Sequence, residues 1–87
     1  KEQWDDILLH AKEEHDIMDV SFATWLRPLK IYAVDGNVVK ISAPDEQMIR
    51  YVKIKYGTIL QVSIEEVTGF DCTVEFVAED NIKKLSV

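Results

Sequence analysis

Cysteine occurs once in the 87 residues, at Cys72. A lone thiol excludes an internal disulfide framework and fits a reducing compartment. The three glycines, Gly36, Gly57 and Gly69, lie far apart. No G-x-x-x-x-G-K-[ST] loop can therefore cradle a phosphate. The two histidines, His10 and His15, are five residues apart. On a helix that spacing turns them well past a right angle, unlike the four-residue step with which two histidines share a zinc. No metal and no cofactor are expected. The sequence has no apolar run long enough to cross a bilayer and no basic-then-apolar leader; with them absent it reads as soluble and cytoplasmic, without a membrane partner. It starts without methionine, as a trimmed or cloned boundary would. Basic residues are also short, 10 against 16 acidic, for a net charge of -6. Such a chain binds nucleic acid poorly without specificity, because that affinity comes from neutralising phosphates.

What remains is enough for one folded domain. The hydrophobic fraction is 47% with two tryptophans, near the lower size at which a single core suffices. The charge is segregated along the chain. Residues 1–20 carry Glu2, Asp5, Asp6, Glu13, Glu14, Asp16 and Asp19 against Lys1 and Lys12. Residues 21–57 reverse the sign, with Arg27, Lys30, Lys40, Arg50, Lys53 and Lys55 against Asp35, Asp45 and Glu46.

Trp4, Ile7, Leu8, Ala11 and His15 recur at three- and four-residue steps, predicting a helix over 2–16. Leu9 falls off that stripe. A connection over 16–20 follows, with Ile17 and Met18 available to tuck beneath it. Ser21 then reads as the N-cap of a short helix whose Phe22, Trp25 and Leu26 face the core. Pro28 stops it, lacking an N–H and biasing Arg27 away from helical geometry. A strand over 29–34 should point Leu29, Ile31 and Ala33 one way and Lys30, Tyr32 and Val34 the other. Asp35-Gly36-Asn37 is a hairpin turn leading into a strand over 38–43. Pro44 breaks that strand and Asp45 caps a long helix reaching Thr68. Its core stripe is Ile49, Val52, Tyr56, Leu60, Ser63 and Val67, flanked by Met48, Ile59 and Ile64. Gly57 inside it suggests close approach of another backbone. Gly69 ends it in a left-handed conformation. A last strand over 71–77 alternates Cys72, Val74 and Phe76 with Thr73, Glu75 and Val77. The expectation is an α+β fold in the order α-α-β-β-α-β, with a three-stranded sheet packed against helices.

The pattern offers no positive argument for an enzyme. Cys72, alternating with Val74 and Phe76, reads as a small core residue. Glu65 and Glu66 are helical neighbours, which do not face one another, and read as solvated. Arg50, Lys53 and Lys55, interleaved with Tyr51 and Tyr56, are the candidate nucleic-acid residues, since cations and aromatics together can hold phosphates and stack bases. They leave open a KH-like single-stranded nucleic-acid-binding module, although the G-x-x-G clamp of KH domains is missing.

The run Ser21-Phe-Ala-Thr-Trp-Leu-Arg-Pro-Leu29 resembles the S/E-F-x-x-W-[IL]-[RK]-P-L signature of the amino-terminal domain of bacterial DnaA replication initiators. Ala43-Pro44-Asp45-Glu46 resembles that family's A-P-N-E/R turn. Tyr56, Thr68-Gly69, Val74-Glu75-Phe76 and Trp4 also fit, and the match covers nearly all of residues 3–78. The resemblance implies a KH-like fold used for protein–protein contacts, over residues 1–79, with residues 80–87 a frayed end or the start of a linker. It implies weak self-association through Gln3, Trp4 and Ile7. It also implies contact with the replicative helicase DnaB or initiation regulators through Ser21, Thr24, Asp45, Glu46, Gln47 and Arg50. Two positions depart from the pattern: Ser21 stands where some members carry a helicase-contacting glutamate, and Gln47 where many carry a partner-contacting phenylalanine. Trp4 has a competing reading as a core tryptophan, and a stand-alone domain with an unrelated partner stays open as a third reading because the sequence carries no ATPase.

Overall fold

The computed structural model describes residues 2–69 and 71–80. Helix α1 spans Glu2–Glu14 and buries Trp4, Ile7, Leu8 and Ala11, the stripe its periodicity predicts. It ends before His15, which is exposed. Asp16 then takes a left-handed φ of 49°, a conformation that short polar residues tolerate. The reversal buries Ile17 and leaves Met18 in solvent, so only the first of the two tucks under.

Helix α2 (Asp19–Ser21) starts two residues before the expected cap and runs directly into a wide turn over Phe22–Leu26. Ser21 is itself helical and its side chain caps nothing. Asp19 occupies the first turn instead, and its carboxylate meets Lys12 of α1 at 2.8 Å. In the wide turn the N–H of Arg27 donates to the Phe22 carbonyl five residues back, at 3.0 Å. This π-type step is rare and usually confined to one turn. It puts Phe22 and Leu26 in the core and leaves Trp25 half-buried at its margin. Pro28 ends the helical run as expected.

Strand β1 (Lys30–Asp35) pairs antiparallel with β2 (Val38–Ala43). Between them Gly36 takes φ 62°, the sign a tight hairpin demands. The expected strict alternation along β1 fails at one place. Ile31 pairs with Ile41 and Val34 with Val39, but Ala33 pairs with Lys40, so Tyr32 is an extra residue in a bulge. A bulge shifts the side-chain phase by one. Ile31 and Val34 therefore share the face of the buried Val39 and Ile41, while Ala33 moves to the other.

Asp45 caps α3 (Glu46–Thr68), its Oδ1 accepting the Met48 N–H at 2.8 Å, a bond of about 1 kcal/mol. The buried face holds Ile49, Val52, Tyr56, Leu60, Ser63 and Ile64; Val67 lies only half-buried. Gly57 has no neighbour within 4 Å of a would-be Cβ, so no second backbone approaches it. Gly69 closes the helix at φ 83°. Cys72 is buried just ahead of β3 (Thr73–Ala78), which pairs parallel with β2. The sheet order β1-β2-β3 makes β2 central. Helix α3 packs on β2 and β3 and against α1, enclosing one core. The expected tail over 80–87 lies, beyond Asp80, outside the described residues.

Candidate interaction surfaces

Helix α3 packs on β2 and β3, and the inner face of β1 stays open to solvent. Ile31 and Val34 on that face are exposed, Val34 at 59%. They form one wall of a groove of about 750 Å³ whose other walls are Trp4 and Ile7 of α1 and Ile64 and Thr68 of α3. Gln3, Asp5 and Lys30 stand at its rim. Gln3, Trp4 and Ile7 thus lie together on one groove. Trp4 is also a core residue, 9% exposed. Its indole N–H donates to the Leu29 carbonyl at 3.0 Å and ties α1 to the entry of β1. Trp4 therefore lines the groove while its N–H holds the fold.

The second surface joins α2 and its wide turn to the first half of α3. The faces of Trp25 and Tyr51 stack with centroids 4.0 Å apart, and Tyr56 meets the Tyr51 edge at 6.4 Å. Thr24, Asp45, Glu46, Gln47 and Arg50 are exposed around this stack, and Ser21 is half-buried. The Asp45 carboxylate is committed to its cap.

Arg50, Lys53 and Lys55 are all exposed, and Arg50 and Lys53 share one side of α3, but the three do not form one face. At about 100° per residue, Lys53 and Lys55 project from nearly opposite sides of the helix. The Lys55 ammonium lies 5.8 Å from the Tyr51 ring centroid. Both glutamates expected in solvent have partners: Glu66 meets Nε2 of His10 at 2.7 Å, joining α3 to α1, and Glu65 accepts the Cys72 N–H at 3.2 Å. Burial, with Glu65 and Asp71 nearby, raises the Cys72 thiol pKa, which disfavours the reactive thiolate. The hydrogen bond and charge of Lys12 lower the Asp19 pKa. Among the described residues no group of three His, Cys, Asp or Glu side chains is placed to hold a metal ion, and no helix is long and apolar enough to cross a membrane.

Sequence reasoning missed Val34 because the bulge that re-aims it leaves no mark in the residue pattern; Lys30 and Ile31 precede the bulge and were missed because nothing in the pattern says that Ile31 stays exposed. Tyr51, named from the sequence only as an aromatic beside Arg50, Lys53 and Lys55, could also have been placed on this surface, since it falls off the core stripe of α3 and shares a face with Gln47.

Fold and surfaces together define a small α+β domain that leaves an apolar groove and an aromatic patch exposed. No protein-family model matches the chain. The chromosomal replication initiator protein DnaA of Lachnoclostridium phytofermentans is 40% identical over 81 residues, 88% of this chain. The chain spans 18% of that relative's length. A chain from the crystal structure of a HobA–DnaA (domain I-II) complex of Helicobacter pylori superposes with a TM-score of 0.70 at 17% identity, over 83% of this chain and 92% of that one. The chain belongs to the family of the amino-terminal domain of the replication initiator DnaA.

Proposed function

We propose that this domain is a non-catalytic protein-interaction module of a bacterial replication initiator. The observation that carries the reading is the uncovered inner face of β1, which leaves an apolar groove open beside the core. In this reading a second copy occupies the groove and contacts Gln3, Trp4 and Ile7 together with Ile31 and Val34. The α2–α3 surface, through Ser21, Thr24, Asp45, Glu46, Gln47 and Arg50, receives a replication partner, either the replicative helicase DnaB or a regulator of initiation. The solved relative was crystallised in complex with HobA, which supports a protein partner for this class of domain.

Trp4→Ala is a poor test, because its loss removes core packing and a buried bond along with any contact. Val34→Lys is better, since Val34 is exposed at the groove and pairs through its backbone. Sedimentation equilibrium should show self-association weakened about tenfold, a loss of about 1.4 kcal/mol, with an unchanged urea midpoint. Identical monomer fractions for Val34→Lys and the parent chain would remove the groove from self-association. Thr24→Arg combined with Gln47→Arg should abolish capture by purified helicase or regulator and leave self-association intact.

A further inference from the structure

The segregated charge of the sequence takes a definite form on two helices. The outward face of α1 presents Leu9, 45% exposed, with Asp6 one turn before it and Glu13 one turn after, both in solvent. The bordering cations are engaged: Lys12 pairs with Asp19, and the Arg27 guanidinium lies 5.2 Å from the Phe22 ring centroid. The outward face of α3 presents the opposite arrangement. Ile54 is 88% exposed, the most exposed large apolar residue described, with Tyr51 one turn before it. Arg50 flanks it on one side and, on the other, Lys55, whose ammonium lies over the Tyr51 ring and keeps its charge at the patch.

An exposed isoleucine flanked by two cations is thus paired with a half-exposed leucine that has a carboxylate one turn to either end of it. The two faces cannot meet within one molecule, because α1 and α3 pack together through their buried sides and turn these faces away from the shared core. We infer that the α1 outward face of one copy docks on the α3 outward face of the next, Leu9 against Ile54, with Asp6 and Glu13 facing Arg50 and Lys55. Such a contact is heterologous, since the two patches differ. It leaves one free patch at each end and builds open chains rather than closed pairs. Charge complementarity sets its orientation and makes it salt-sensitive. It does not use the β1 groove, so the two modes of association fail separately.

The test is sedimentation of the whole chain at low and high salt, with two variants, Asp6→Lys/Glu13→Lys and Arg50→Glu/Ile54→Asp. All substituted side chains are exposed, and near-ultraviolet circular dichroism checks that the fold is kept. The parent chain should form species larger than dimers at low salt and lose them at high salt, whereas an apolar groove contact persists there. Each double variant alone should lose these larger species. An equimolar mixture should recover a one-to-one complex, because each variant supplies the patch the other lacks. Parent chains that never exceed a dimer at low salt would overturn the inference. So would variants that assemble like the parent, or a mixture that gains no one-to-one complex over the separate variants. Loss of association in Val34→Lys alone would bear on the groove and leave this contact standing.

Discussion

Ser63 is fully buried on α3, and its hydroxyl has no hydrogen-bond partner. A buried polar group without a partner costs about 1–3 kcal/mol, and serine is also a poorer helix former than alanine. Ser63→Ala should therefore raise stability by roughly 1 kcal/mol, read as a higher urea midpoint with unchanged slope. Trp4 poses the opposite case. Trp4→Phe keeps most of the ring but strands the Leu29 carbonyl, and should cost about 1–3 kcal/mol by the same measurement. Asp19 gives a test with pH. Its carboxyl pKa is lowered by Lys12, so the folded state gains stability that is complete above the ordinary aspartate value. That gain is lost as pH falls through the lowered folded value. Asp19→Asn should remove this part of the acid dependence, and high salt should shrink it in the parent, because the carboxylate is fully exposed and screened.

The elements divide between those whose ends carry a chemical mark and those that do not. Asp45 and Gly69 mark α3 at both ends, and the structure uses them as cap and left-handed terminator. Pro28 marks the stop of the second helical run, and Asp35-Gly36 marks the hairpin. The start of α2 had no comparable mark, and Ser21 drew the cap three residues after the actual one at Met18, because a serine before an apolar run resembles a cap. The bulge at Tyr32 was equally silent: one residue beyond strict pairing reverses the facing of everything after it. That reversal put Val34 on the groove, which is why part of the candidate surface was invisible in the sequence while Trp4 and Ile7 were not. Gly57 misled in another way. With nothing within 4 Å of its would-be Cβ, Gly57→Ala should stabilise α3 by about 1 kcal/mol, measurable as a rise in Tm.

For the whole molecule, the groove and the outer face of α1 lie apart from the α2–α3 surface, whereas the outer face of α3 shares Arg50 and Tyr51 with it. The proposed contacts could then be made by one copy at the same time only where they do not overlap. Arg50 belongs both to the partner surface and to the head-to-tail contact. A partner seated on α2–α3 should therefore compete with chain growth through Ile54. Adding purified helicase or regulator at low salt should shorten the assemblies, read as a fall in weight-average mass per copy of this domain, while Val34→Lys leaves that competition unaffected.

The parallel pairing of β3 with β2 also has a history in time. The β1–β2 hairpin and α3 are built from near neighbours, and such pieces form within microseconds. β3 must instead close a loop of roughly thirty residues to reach β2. There the Thr73 N–H donates to the Asn37 carbonyl at 2.8 Å and fastens the strand to the hairpin turn. During synthesis, at about 5–20 residues per second, the central strand emerges well before the strand that will cover its second edge. For a second or more β2 carries an open row of backbone donors and acceptors beside Val39 and Ile41. In this fold the last strand to be made is the one that takes a sticky edge out of circulation.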